Sequence, residues 1–263
     1  MPGLGNKLVF MRTTGNTILI TGGGTGIGRG LAEAFHALGN HVIIAGRRRQ
    51  VLDETTAANP GMASLALDIQ DPAGIRAFAA EVTAKHPALN VLINNAGVMR
   101  FERIAAQADH LADAEAVVAT NLLGPIRLTA ALLPALRKQP HSAIINVSSG
   151  LAFVPMAPTP TYCATKAALH SYTQSLRYQL QGTTEVIELI PPYVATHLSD
   201  GAADPRAMPL DKFIAEAMEI LKTQPEVTEI CVENVKRLRF AAESGQYDAI
   251  FRGLNDAMQE RPR

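Results

Sequence analysis

Cysteine is nearly missing from this chain: Cys163 and Cys231 are the two among 263 residues. That rules out a disulfide scaffold and a four-thiolate metal site. An excess of either charge is missing too, since 24 Lys and Arg balance 24 Asp and Glu. A nucleic-acid binder normally carries a basic surplus, so no nucleic-acid partner is expected. No run approaches the roughly 18 apolar residues of a membrane span. The stretch LVFM between Lys7 and Arg12 is too short for the apolar core of a signal peptide. A cytoplasmic setting without a membrane partner follows as the expectation. His36, His41, His86, His110, His141, His170 and His197 are scattered, with neither HxxxH nor Cys/His spacing, so neither a histidine site nor a metal is expected. A Walker lysine–serine pair is also lacking, which sets aside P-loop phosphoryl transfer.

What is present is apolar and alternating. Hydrophobic residues make up 47% of the chain, enough for a substantial core. The runs TILIT (17–21), HVIIAG (41–46), ASLAL (63–67), NVLIN (90–94), AIINVS (143–148) and VIELI (186–190) are mostly apolar, on both faces. Strands apolar on both faces belong to a parallel sheet covered by helices on each side. Helical patterns lie between them, at 26–38, 49–58, 72–86, 109–138 and 161–181, with Gly39, Pro60, Pro87, Pro140 and Gly182 at their ends. The pattern predicts an α/β fold, a doubly wound parallel sheet in three layers, spanning 1–263 as a single domain. After Pro191 the period is lost. A substrate loop and helix are expected over 196–225, and a helical C-terminal segment over 226–263, with helices at 226–243 and 245–258.

The first strand runs into TGGGTGIGRG. Gly22, Gly26 and Gly28 stand where the chain must turn sharply into a helix whose free N–H groups can face a pyrophosphate. The spacing is Gly-x-x-x-Gly-x-Gly, so the Gly-x-Gly-x-x-Gly fingerprint fails as written. At the end of the second strand, where a carboxylate would select NAD, stands Gly46, followed by Arg47, Arg48 and Arg49. A guanidinium forks onto a 2′-phosphate, which points to NADP(H) over NAD(H), with Arg47 first and Arg48 next. In TYCATK, Tyr162 and Lys166 lie one helical turn apart. A cation beside a phenol lowers its pKa from about 10, which would make Tyr162 a usable acid/base. Ser149, with Ser148 as its rival, follows the fifth strand, where a hydroxyl would orient a substrate oxygen.

Thr21-Gly-x-x-x-Gly-Ile-Gly28, NNAG (94–97), Asn121, Ser149 and YCATK (162–166), in this order over residues 17 to about 196, resemble the short-chain dehydrogenase/reductase family. The wording GNTILITGGGTGIGRGLAEAF and IELIPPYVAT resembles the branch labelled DltE-like. The resemblance implies a Rossmann fold and a small-molecule carbonyl or alcohol substrate. It implies Tyr162 as acid/base, with Lys166 tuning it and holding the nicotinamide ribose. It implies Ser149 beside the substrate oxygen and Asn121 holding a water that links Lys166 to solvent. On the cofactor it places Gly22, Thr25, Gly26, Ile27 and Gly28, with Asp68 and Ile69 at the adenine, and Asn95, Ala96 and Gly97 at the adenosine ribose. The bare alternative for Asp68 is a cap for the helix at 72–86. Pro191 and Thr196 complete the set. Pro192 stands where the family has Gly, and the final strand with its Gly-Gly tail is missing from the pattern. That argues against a tetramer and leaves a homodimer through 109–138 and 161–181. Two other functions stay open beside the oxidoreductase, a non-catalytic NADP-binding sensor and a sugar-nucleotide epimerase or dehydratase. The loop from Thr196 to Pro209 is expected to close over the cofactor, turning Val194, Leu198 and Met208 toward an apolar carbonyl.

Overall fold

The computed structural model describes residues 11–102, 104, 111–198 and 204–259. The apolar runs become strands β1 Thr17–Thr21, β2 His41–Gly46, β3 Ala63–Ala66, β4 Val91–Asn94, β5 Ala143–Val147 and β6 Glu185–Leu189. Between them fall α1 Gly26–Ala37, α2 Arg49–Ala58, α3 Pro72–Lys85, α4 Leu111–Val118, α5 Gly124–Leu136 and α6 Pro160–Gln179. The chain continues through α7 Leu210–Thr223, β7 Glu229–Ile230, α8 Glu233–Arg239 and α9 Tyr247–Gln259. All strands pair in parallel, in the order β3-β2-β1-β4-β5-β6-β7.

Alternation explains why the strands are apolar on both faces. Ile18 and Ile20 enter one core with Leu31 and Phe35 of α1 and Phe213 and Ala217 of α7. Leu19 enters the other core with Ile75 and Phe78 of α3, Leu128 and Leu132 of α5, and Leu176 of α6. This is a Rossmann-type three-layer sandwich, as expected. Between β1 and β4 the strand order reverses, which opens a crevice at the carboxyl ends of the strands.

Three expectations need correction. Residues 226–243 do not form one helix. Glu229–Ile230 pairs with Glu188–Leu189 as an edge strand, and only Glu233–Arg239 is helical. The argument against a tetramer from a missing last strand therefore loses its premise. Next, Leu111–Leu136 is long and apolar enough to cross a membrane by length and composition, with a mean hydropathy of 1.5 over its most apolar window. Here it is a core helix, with Val117, Leu128, Leu132 and Leu136 fully buried. It widens to a π-helical turn at Ala119–Leu123, a device frequent at functional sites. Finally, the histidines are not all solitary: His170 Nδ1 lies 2.7 Å from Glu188 Oε2, and His41 Nε2 lies 3.0 Å from His86 Nδ1. Residues 8–10 of the LVFM stretch, residues 109 and 110 with His110, and the loop residues 199–203 lie outside the described residues.

Candidate active site

The crevice begins at the turn from β1 to α1. Gly22 has φ 67°, a conformation that glycine alone adopts without strain. At Gly28 an added Cβ would stand 2.3 Å from the Gly22 carbonyl oxygen and 2.4 Å from Asn95 Nδ2. Gly28→Ala is therefore expected to cost at least about 2 kcal/mol and to remove dinucleotide binding, because the helix must leave the strand. Thermal unfolding and NADPH fluorescence titration check this. An unchanged Tm together with unchanged binding would contradict the packing argument.

Asp71 caps α3 by accepting from Ala73 N at 2.9 Å, so Asp68 is not that cap. No side chain caps α1 in this way: its N-cap, Thr25, makes no side-chain bond to the first turn. The first-turn amides of Gly26, Ile27 and Gly28 are thus open to an anion. The Ile27 side chain itself packs toward the core. The cleft is lined by the glycine turn with Gly22, Gly24 and Thr25, by Gly46, Arg47 and Arg48, and by Leu67, Ile69, Ala96, Gly97, Val98 and Thr120 among others. Arg47 and Arg48 have no ion-pair partner among the described residues, whereas Arg49 is bound to Asp53 at 2.9 Å. Asp68 is exposed beside Leu67 and Ile69, its Oδ1 accepting from Gln70 N at 3.0 Å. Asn95 is a strut more than a wall: its Nδ2 donates to the Thr21 carbonyl at 2.9 Å. Ala96 and Gly97 continue past it into the cleft. Thr196 crosses above the glycine turn, its Cγ2 lying 3.4 Å from where a Gly26 Cβ would be. Pro191 is buried, and its carbonyl accepts from Gly150 N at 2.9 Å. Gly24, Val98 and Thr120 escaped the sequence analysis. Each adjoins a motif residue, but which neighbour faces the cleft depends on the tertiary path.

The reactive end lies past β5. A buried ladder holds it: Asn94 Nδ2 donates to Asn146 Oδ1 at 2.8 Å, and Asn146 Nδ2 to Thr173 Oγ1 at 2.9 Å, joining β4, β5 and α6. Glu102 accepts from Thr161 N at 3.0 Å and Thr161 Oγ1 at 2.8 Å, and so fixes the first turn of α6 beside Tyr162. Ser149 Oγ accepts from Leu151 N at 3.1 Å, and the Ser149 hydroxyl lies close enough to the Tyr162 phenol to favour its ionised form. Ser148 Oγ is buried with no partner among the described residues. Lys166 Nζ donates to the Val147 carbonyl at 2.8 Å and stands 5.6 Å from the Tyr162 ring centroid. It lies 3.8 Å from where a Gly97 Cβ would be, which joins the reactive end to the cleft. Asn121, in the π turn, accepts from Val98 N at 2.9 Å and donates to the Val98 carbonyl at 2.8 Å and to Thr165 Oγ1 at 3.3 Å. Its amide is committed to the scaffold, leaving one Oδ1 lone pair for a water.

Electrostatics correct the expectation of a lowered tyrosine pKa. Burial pushes the Tyr162 phenol up to about 12, opposed by the Ser149 hydroxyl. Burial pushes the Lys166 ammonium down to about 8, opposed by the Glu188 carboxylate. Desolvation outweighs the neighbouring cation because both groups are enclosed by protein. At neutral pH the phenol therefore holds its proton, which is the form that donates to a developing alkoxide.

A family model described as short chain dehydrogenase matches residues 16–206. The chain belongs to the short-chain dehydrogenase family. It is 39% identical over 251 residues to the uncharacterized oxidoreductase DltE of Bacillus subtilis (strain 168), covering 93% of this chain and 98% of that one. A short chain dehydrogenase from Burkholderia cenocepacia J2315, solved in complex with NADP, superimposes with a TM-score of 0.78 at 25% identity, covering 93% of this chain and 99% of that one. A 3-ketoacyl-(acyl-carrier-protein) reductase from Brucella melitensis, complexed with NADH, gives 0.73 at 25% identity over 83% and 96%. As a member of this family the protein is an NAD(P)-dependent oxidoreductase acting on CH–OH or C=O groups. Neither the sensor nor the epimerase alternative gains support.

Proposed function

We propose that the protein is an NADP(H)-dependent reductase of a small, fairly apolar carbonyl compound, with Tyr162 as the proton donor. The observation that carries this is the approach of Lys166, one helical turn from Tyr162, to Gly97 of a cleft that is also lined by Arg47 and Arg48. The cleft fits a dinucleotide, since uncapped amides and close-packed glycine line it where side chains would otherwise intrude. The amides at Gly26 to Gly28 would hold the pyrophosphate, Arg47 the 2′-phosphate, and Asp68 with Ile69 the adenine edge. Ala96 and Gly97 would border the adenosine ribose, Lys166 the nicotinamide ribose, with Thr196 over the glycine turn. When bound, the nicotinamide supplies or accepts the hydride. Ser149 orients the carbonyl oxygen, Tyr162 gives it a proton, and Lys166 holds positive charge beside the phenol.

The apolar substrate class is supported by the surroundings of Tyr162. Met99, Val117 and Met156 are buried against it, with Leu254 and Met258 of α9 at their edge. Val194 and Met208 do not line this wall. They bridge to each other and sit in the main core, closing the stem of the loop, while Leu198 is exposed. Arg206 is paired with Asp204 at 2.6 Å, so it is not a free anion receptor. A homodimer and a cytoplasmic setting remain part of the proposal. NADPH consumption over a panel of neutral and anionic carbonyls tests the reaction. No turnover with any neutral member would sink it.

Cofactor choice rests on Arg47, because one neighbour was captured with NADP and another with NADH. Arg47→Ala is expected to lower kcat/KM for NADPH about 10–100-fold, by loss of charged hydrogen bonds, while NADH is barely affected. Equal efficiency of the parent protein with the two cofactors would reject the assignment.

A further inference from the structure

Glu188 sits in the middle of β6, between Asn146 of β5 and Glu229 of β7, and is 0% exposed. An isolated carboxylate in such a place is costly, so it must be paired or serve a purpose. One oxygen is bound: His170 Nδ1 lies 2.7 Å from Oε2. The imidazole is held edge-on against Phe153, ring centroids 4.7 Å apart. The other oxygen, Oε1, is buried with no hydrogen-bond partner among the described residues. His170 is four residues after Lys166 on α6, so both project from one face of the helix, a turn apart.

The neighbouring cations have their bonds elsewhere. Arg239 forks onto Glu229 at 2.6 and 3.2 Å and reaches Glu243 at 2.7 Å. Arg177 donates to the carbonyls of Val186 at 2.8 Å and Thr228 at 2.9 Å. The ligand atoms of His170, Glu188 and Glu229 lie within 4.8 Å of one another, but the guanidinium on Glu229 already fills the cation's place. Lys166, by contrast, donates among the described residues to the neutral Val147 carbonyl, with no ion-pair partner there.

We infer that Glu188, locked by His170, is a positioning residue that keeps the buried Lys166 in its ammonium form. This deepens, and rests on, the role given to Lys166 above. The titratable groups around the lysine are Tyr162, Cys163, His170 and Arg177 on α6, Glu188 on β6 and Glu229 on β7. Cys231 lies just beyond β7, Arg239 is on α8 with Glu243 after it, and Glu102 faces the start of α6. Among them the Glu188 carboxylate is what opposes the fall of the Lys166 pKa, which burial holds at about 8. Removing that charge lets burial act unopposed, and the lysine becomes neutral at a lower pH.

The test needs no substrate. In protein labelled with 13C at the lysine ε carbon, the Lys166 signal is assigned by its loss in Lys166→Met and then titrated by NMR. Glu188→Gln, nearly isosteric, is expected to lower the midpoint by about 1 unit or more, a tenfold change in the ammonium-to-amine ratio at a given pH. Glu188→Asp keeps the charge and is expected to keep the midpoint within about 0.3 unit. A midpoint that Glu188→Gln leaves unmoved overturns the inference. If that variant does not fold, Glu188→Asp decides alone: a midpoint lowered by about 1 unit with the charge still present overturns it. Failure of the underlying reading shows separately, as normal turnover by Tyr162→Phe, a readout independent of the Glu188 variants.

Discussion

Replacing Tyr162 with Phe is expected to lower kcat by about a thousandfold, while NADPH affinity is expected to stay within about threefold. The ring keeps its packing among Met99, Met156 and Cys163, so only the hydroxyl is lost. Because burial holds the phenol at about 12, the wild-type enzyme enters the reductive direction with the proton in place over the whole neutral range. Steady-state rates and fluorescence titration of the same preparation separate the two effects. A variant keeping a tenth or more of the wild-type rate would show that another group donates the proton.

Lys166→Met is expected to abolish turnover, weaken NADPH binding, and stabilise the ligand-free protein by about 1–3 kcal/mol at pH 7. The sign follows from burial. The folded-state pKa is about 8 against 10.5 for the exposed group. Below pH 8 the lysine is charged in both states, and folding bears the full cost of burying that charge. Between about 8 and 10.5 the unfolded chain binds more protons, so wild-type stability rises with pH and the advantage of Met shrinks. Loss of the counter-charge to Glu188 offsets part of the gain, which is why the lower end of the range is included. Differential scanning fluorimetry from pH 6 to 10 reads this out. A lower Tm for the Met variant at pH 7 would mean that the ammonium stabilises the fold.

Much of this architecture is written in local pattern. Ile18, Leu19 and Ile20 in succession announce a strand buried on both faces, and the glycines at 22, 26 and 28 announce a turn that admits backbone and anion but no side chain. Tyr162 and Lys166 share a face because a helix repeats every 3.6 residues. These features follow from spacing along one element, and spacing is what a sequence records. β7 was invisible for the same reason: with Glu229 and Ile230 as its only residues, it exists through pairing with β6 and has no period of its own.

The remainder depended on residues far apart in the chain meeting in space. Ser149 and Ser148 face opposite ways because adjacent residues on an extended chain do so, and which of them neighbours Tyr162 is set by the path of β5 against α6. The direction of the tyrosine shift could not be read from a lysine one turn away, since enclosure by α9, β5 and the loop at 98–102 sets the cost of charge. Val194 and Met208 turn inward because each closes on the other. Glu188 looks like one more residue of an apolar strand until His170, 18 positions earlier, is found against it. Periodicity and turn chemistry are local energies, so the sequence by itself determined the fold, the glycine cleft and the Tyr–Lys face. Burial, and with it the protonation of the reactive groups, is a property of the whole enclosure, and only the tertiary structure decided it.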